Sequence, residues 1–251
     1  MLAEQRQKFI LNQLAVTGAL AISALVAELG VSRETIRRDL NVLAERGLLV
    51  LTHGGALAPD RTEPDTQTRA AINAEGKRAI GQRAAELVPD GASLILDYGT
   101  TTHAVAQALQ GHHNLLVYTN DLSIALLLGR RNGNRVIVLG GELQENEDAT
   151  HGWDAIEQVS RYHADFAFIG IGGVTPRGEI CDFSRGAAEL RSRMLLAADV
   201  ACVVADYTKF GRNTGVTIRH FDQAAWLVTD MAPEPTLAEA LRQAGPKLLI
   251  A

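Results

Sequence analysis

Hydrophobic residues in the first fifty positions recur with a helical period. Phe9, Ile10 and Leu14, then Ile22, Leu25, Val26 and Leu29, then Ile36, Leu40 and Leu43 each mark one buried stripe. They predict helices over about 3–14, 22–29 and 32–46. Thr17 and Gly18 separate the first two. Gly30, which tolerates positive φ, closes the second. Ser32 is placed to cap the third through the amide of Thr35, and Gly47 ends it. Residues 48–52 then read as a strand, 53–55 as a turn and 56–57 as the start of a return strand. Three helices followed by a hairpin predict a winged helix-turn-helix over 1–57.

The pattern then changes. Residues 58–72 are polar, with two prolines, and predict a linker. A helix is expected over 73–87, and beyond it short apolar runs alternate with helical segments. Strands are predicted at 93–97, 115–119, 135–141, 164–173, 200–206, 224–230 and 247–251. Helices are predicted between them at 101–109, 122–129, 153–162, 187–198 and 236–244. Such alternation implies a largely parallel sheet covered on both faces, here a larger α/β domain over 73–251.

Bulk properties narrow the class. A chain of 251 residues suits a small domain plus a larger one. No apolar run approaches the roughly 18 residues that span a bilayer, so no membrane partner is expected. Glu4, Arg6 and Lys8 interrupt the apolar core that a secretory signal would need. Two isolated cysteines, Cys181 and Cys202, fit a reduced, cytoplasmic protein. The net charge of −5 argues against a general nucleic-acid coat. The acidic excess lies in the larger part of the chain, however, and the N-terminal part carries a local cluster of Arg33, Arg37 and Arg38.

A cation at a helix N-terminus opposes the macrodipole, so three arginines there point to a counter-charge outside the chain. The second helix of a helix-turn-helix enters the major groove, where arginine bonds guanine edges or phosphates. Ser32, Arg33, Thr35, Arg37 and Arg38 are therefore candidate DNA contacts, with His53 at the hairpin tip for backbone contact in an adjacent groove. The competing reading pairs Arg37 and Arg38 with Glu34 and Asp39 on a solvated face.

A second candidate site follows the strand at 93–97. Gly99 allows a tight turn, and Thr100, Thr101 and Thr102 offer amides and hydroxyls at a helix N-terminus, a natural anion site. A plain threonine cap with no ligand is the alternative. Other strand ends contribute Asp97, Thr119, Asn120, Gly140, Gly141, Gly172 and Lys209, and ligands of open α/β sheets bind outside the C-terminal ends of strands. Lys209 would complete the neutralisation of a phosphate, or lie on the surface. Arg185 and Glu189 are candidates for ligand selection or helix-surface charges. GIGGVTPRG lacks the third glycine of a dinucleotide fingerprint, and the histidines lack ligand spacing, so neither cofactor nor metal is expected.

VSRETIRRDLNVLAERGLL with THGGAL, together with DYGTT, YTND, LGGEL, ADFAFIGIGG and ADYTKFGRN, resembles the DeoR family of bacterial transcriptional regulators over nearly the whole chain. The resemblance implies an α/β effector domain similar in fold to ribose-5-phosphate isomerase behind the winged helix-turn-helix. It also implies a repressor of a carbohydrate or polyol catabolic operon, controlled by a phosphorylated sugar or polyol. KFGRN with DYGTT leans toward the glycerol-3-phosphate repressor branch. Two-fold operator half-sites imply a homodimer or higher homo-oligomer. The alternative is a sugar-phosphate isomerase-like enzyme with a DNA-binding appendage. It is disfavoured because Asp165 is followed by Phe166, Ala167 and Phe168, none of which abstracts a proton.

Overall fold

The computed structural model describes residues 3–17, 19–45, 48–52, 54–57, 63–143 and 147–251. They fall into two units, Met1–Glu63 and Pro64–Ala251. The first holds α1 (Ala3–Thr17), β1 (Ala19–Ala21), α2 (Ile22–Leu29), α3 (Arg33–Glu45), β2 (Val50–Thr52) and β3 (Gly55–Leu57). Ile10, Leu14, Leu25, Ile36, Leu40 and Leu43 converge with Leu49 and Ala56 in one apolar cluster, so the stripes of all three helices form a shared core. Gly30 ends α2 in the left-handed region at φ 63°, its amide donating to the Val26 carbonyl. The sheet runs β1-β3-β2, antiparallel throughout.

Strand β1 was not expected. Ala-Leu-Ala carries no β-branched or aromatic residue to signal a strand, and only pairing with β3 makes it one. The approach is close: a Cβ at Gly55 would come within 1.8 Å of the Leu20 carbonyl oxygen, which is why glycine stands there. The expected helix end at Arg46 and Gly47, and the hairpin-tip His53, lie outside the described residues.

The second unit opens with α4 (Thr66–Ala71) and α5 (Ala74–Ala85) and continues as β4 (Ser93–Leu96), α6 (Thr100–Ala108), β5 (Leu116–Thr119), α7 (Leu122–Leu128) and β6 (Arg135–Val138). Next come β7 (Glu142–Leu143), β8 (Thr150–His151), α8 (Trp153–Val159), β9 (Ala164–Ile169), β10 (Gly173–Val174), β11 (Ile180–Asp182) and α9 (Arg185–Leu196). The chain finishes with β12 (Ala198–Val204), β13 (Val216–Thr217), β14 (Ala224–Thr229), α10 (Pro235–Ala244) and β15 (Lys247–Ile250).

Seven strands form a parallel sheet in the order β15-β14-β12-β9-β4-β5-β6. Alternate residues serve opposite faces. Leu94 and Leu96 join Ile80, Val105 and Ile124 of α5, α6 and α7 on one side. Ile95 joins Ile156, Met194 and Leu237 of α8, α9 and α10 on the other. From β4 the chain runs outward to β5 and β6, then returns to β9 on β4's other side. That reversal creates a crevice between the C-terminal ends of β4 and β9, the position where open α/β sheets bind ligands.

Two sequence expectations need correction. Residues 66–71, read as linker, form α4. Asp65 caps it, accepting from the Thr68 amide at 2.8 Å, and Thr66 and the buried Arg69 both bond Glu147, so these polar residues are anchored rather than solvated. The long strands expected at 135–141 and 164–173 stop at Val138 and Ile169. The glycine-rich segments beyond them turn into the hairpin β7-β8 and a small antiparallel sheet β10-β11-β13. Strands of two or three residues are too short to carry a readable period.

Candidate DNA-contact helix and ligand site

Helix α3 begins with the expected cap: the Ser32 hydroxyl accepts from the Thr35 amide at 3.2 Å and lies 2.9 Å from the Thr35 hydroxyl. Ile36, Leu40 and Leu43 turn into the core while Arg33, Arg37 and Arg38 are exposed. Arg38 sits 3.7 Å from Glu34, with both side chains largely in solvent, a pairing worth only a few tenths of a kcal/mol. Asp39, the other carboxylate that could have compensated these arginines, is buried. It binds Arg6 of α1 at 2.7 Å and accepts from Gln7. Among the described residues Arg33 and Arg37 make no ion pair. The helix therefore presents Ser32, Arg33, Thr35, Arg37 and Arg38 along its first turns with most of their charge uncompensated.

The second candidate site sits where β4 gives way to α6. Gly99 is at φ 125°, and the His103 amide is the first to bond back, to the Gly99 carbonyl at 2.8 Å. The amides of Thr100, Thr101 and Thr102 precede it and form the electropositive end of the helix. The threonines divide their work. Thr102 is buried and its hydroxyl donates to the Gly99 carbonyl at 2.9 Å, Thr101 is also buried, and Thr100 lines a cavity of about 440 Å³.

Gly99, Thr100 and His103 form one part of that cavity's lining, Lys77 and Arg78 of α5 another, and Asp121, Glu147 and Asp148 a third. Lys77 is buried, donates to the Ile72 carbonyl and lies 3.2 Å from Asp206 at the end of β12. Burial works to raise the Asp206 pKa, but the Thr208 hydroxyl, Lys77 and Lys209 outweigh it and hold the carboxyl below its usual range. Lys209 thus acts at the same carboxylate as Lys77. Lys77 gave no sequence signal because it sits in an ordinary amphipathic helix, and its burial depends on packing against strands much later in the chain.

Asp97 occupies the floor of the β4–β9 crevice, fully buried. Its Oδ2 accepts from the Gly170 amide at 3.0 Å and from Arg191 Nε at 2.7 Å. Arg191, on α9, also pairs with Asp182 and lies 4.6 Å over the Tyr98 ring. Burial pushes the Asp97 carboxyl above its usual range against the pull of Arg191. His151 meets the Tyr98 ring edge-on at 4.7 Å, and burial, with Arg191 nearby, lowers its pKa to about 4. Arg185 and Glu189 are the sequence candidates on this helix, but Arg191, which carries no local signal, is the residue that reaches the crevice. In the structure Arg185 is exposed and Glu189 pairs with Arg193 and Arg219.

The remaining candidates are dispersed. Asn120 is buried, donating Nδ2 to the Thr150 carbonyl at 2.9 Å. Thr119 accepts from the Asp121 amide at 3.0 Å, a turn-forming bond. The Gly140 amide donates to Gln158 at 3.0 Å, Gly141 packs against the His151 carbonyl, and Gly172 packs against Asp182. Asp97 therefore lies at the crevice, Gly172 beside it against Asp182, and Asn120 at the adjoining end of β5. Gly99 and Thr100 face the cavity, and Thr119, Gly140 and Gly141 shape the surrounding backbone. Among the described residues no helix is long and apolar enough to cross a membrane and no group of His, Cys, Asp or Glu could hold a metal ion.

Two family models match the chain, one described as DeoR-like helix-turn-helix domain over residues 6–62 and one as DeoR C terminal sensor domain over 72–231. The chain is 33% identical over 238 residues to a glycerol-3-phosphate regulon repressor of Escherichia coli (strain K12), covering 94% of each. It is 33% identical over 246 residues to a protein of that name from Haemophilus influenzae, covering 98% of this chain and 96% of the relative. Among solved structures, ribose 5-phosphate isomerase A of Methanocaldococcus jannaschii aligns with a TM-score of 0.40 at 16% identity, over 55% of both chains.

Proposed function

Since the chain belongs to the DeoR family of transcriptional regulators, we propose that it represses a carbohydrate or polyol operon and that a phosphorylated sugar or polyol controls it. The observation that carries the DNA half is the exposed, uncompensated arginine head of α3. Arg33, Arg37 and Arg38 reach base edges and phosphates, Ser32 and Thr35 add phosphate contacts, and His53 touches the backbone from the wing. Paired half-sites would be read by a homodimer or higher homo-oligomer.

The ligand half rests on the α6 N-terminus beside Lys77 and Arg78. Free amides at a positive dipole end, beside Arg78 and a Lys77 shared with Asp206, suit a phosphate on the side of the cavity away from Asp121, Glu147 and Asp148. Lys209 offsets the Asp206 carboxylate that shares Lys77, and Asp97, Gly172 and the neighbouring Asn120 receive the carbon chain. Glycerol-3-phosphate is the first candidate effector, from the names of the relatives. Helix α4 supplies a route for the response. Thr66 lines the cavity and, with Arg69, bonds Glu147, so a ligand that draws on Glu147 or Lys77 shifts the balance of forces on the first helix of the second unit. A tenfold change in operator affinity needs only about 1.4 kcal/mol of such coupling.

Catalysis is not part of this reading. The segment after β9 is Gly170-Ile171-Gly172-Gly173, which has no side chain able to take a proton from a substrate carbon, and no turnover of ribose 5-phosphate is expected. The test is selection of bound duplexes from a random library, followed by titration of the selected site with phosphorylated polyols, pentoses and hexoses. A symmetric site whose affinity changes at least tenfold with one compound is the expected result. Binding that ignores sequence, or indifference to every phosphorylated compound, refutes the corresponding half.

A further inference from the structure

Among the described residues, three polar atoms near the C-terminal ends of β4 and β5 have no hydrogen-bond partner. Asp97 follows β4 and Asn120 follows β5, and the residues before them, Leu96 and Thr119, are register partners. Two positions earlier, Ile95 and Tyr118 both lie in the core on one face, so Asp97 and Asn120 are neighbours on that face. Both are 0% exposed. Asp97 Oδ2 is held by Gly170 and Arg191, and Asn120 Nδ2 by the Thr150 carbonyl. Asp97 Oδ1, Asn120 Oδ1 and the buried Nε2 of His151 have no hydrogen-bond partner among the described residues. His151 follows Thr150, and its ring abuts Tyr98, which follows Asp97. The three residues are thus linked through Thr150, Tyr98 and Arg191, and they flank one region of the sheet's C-terminal rim.

Buried polar atoms are nearly always paired, so three unpaired ones gathered at the ligand-binding end of a parallel sheet call for a common explanation. Resting on the reading that the second unit takes a phosphorylated metabolite, we propose that Asp97, Asn120 and His151 form a hydroxyl-reading subsite. It selects a ligand whose carbon chain carries neutral hydroxyls and rejects one that carries a carboxylate at that position. The chemistry follows from the atoms. A carboxylate oxygen and an amide oxygen only accept, so their partner must donate, as a hydroxyl does and a carboxylate does not. The neutral His151 ring adds one nitrogen that donates or accepts according to tautomer. Charge points the same way: the single positive charge of Arg191 is shared between Asp97 and Asp182, leaving a net negative group that repels a second anion.

A site built to bond a hydroxyl discriminates strongly against the analogue that lacks it, because the buried acceptors are left unpaired. Isothermal titration calorimetry of the full chain tests this. Glycerol-3-phosphate, ribose 5-phosphate and glucose 6-phosphate are compared with 3-phosphoglycerate and inorganic phosphate, and the tightest compound with each of its mono-deoxy analogues. At least one deoxy analogue, and 3-phosphoglycerate, should bind about tenfold or more weakly than the hydroxylated compound. Asn120→Leu and His151→Phe should each narrow that gap while inorganic phosphate binds alike in all three proteins. Phenylalanine keeps the ring against Tyr98, so this variant separates a lost nitrogen from a lost fold. Equal affinity for hydroxylated and deoxy compounds, or a gap that survives both substitutions, overturns the subsite and leaves the phosphate reading standing. Failure of every phosphorylated compound to bind overturns both.

Discussion

Arg191→Met isolates the interaction that holds the crevice together. Methionine keeps an unbranched apolar side chain but removes the charge that faces Asp97 at 2.7 Å, pairs with Asp182 and covers the Tyr98 ring. Arg191 and both carboxylates are at least 97% buried by accessible area, with exposures of 3%, 0% and 1%. Removing one partner of a buried ion pair costs about 3–5 kcal/mol, because the remaining charge is stranded. For a unit the size of Pro64–Ala251, each kcal/mol lowers Tm by roughly 2–4 °C, so the transition of this unit should fall by roughly 6–20 °C at pH 8. The pH dependence identifies the cause. Asp97 already has a raised carboxyl pKa in the fold, relative to the ordinary 3.8. A raised carboxyl contributes stability that is fully present below the unfolded value and lost as the pH rises through the folded one. Without Arg191 the folded value climbs further, so the deficit of the variant should shrink between pH 8 and pH 5. Calorimetry of both proteins across that range is the assay. A deficit under about 2 °C at pH 8, less than 1 kcal/mol on the same scale, would refute the reasoning, as would one that stays constant with pH.

Three further outcomes are expected. Arg37→Ala should weaken specific operator binding by roughly 5- to 150-fold, the loss of one arginine contact of about 1–3 kcal/mol. Its Tm should be unchanged because the side chain is exposed, and equal affinity in an anisotropy titration counts against its role. Thr100→Glu places a carboxylate on the cavity beside the α6 amides, and should abolish the effector response in a band shift while operator affinity stays within about twofold; an intact response misplaces the anion site. His151 has a pKa depressed from 6.5 to about 4, so it contributes stability present above the unfolded value and lost as the pH falls from 6.5 toward 4. His151→Phe should flatten that part of the stability–pH curve in denaturant titrations; an identical slope in both proteins removes His151 as its source.

The sequence by itself determined whatever depends on neighbours a few positions apart. The stripes of α1, α2 and α3, the left-handed cap at Gly30 and the Ser32–Thr35 cap all rest on contacts within about one or two helical turns. So does the run of apolar strands whose alternate residues face opposite helices. The turn at Gly99 was legible for the same reason, because a strand, a glycine and three threonines in succession are local information. The tertiary structure alone decided which charges meet. Asp39 binds Arg6, 33 residues away, rather than an arginine on its own helix. Asp97 binds Arg191 across 94 residues, and Lys77 reaches Asp206 because α5 packs beside the end of β12. Strand β1 exists only through β3. Periodicity records which face of an element is buried, whereas a buried ion pair depends on which elements become neighbours when the sheet assembles, and that order is written nowhere in the local pattern.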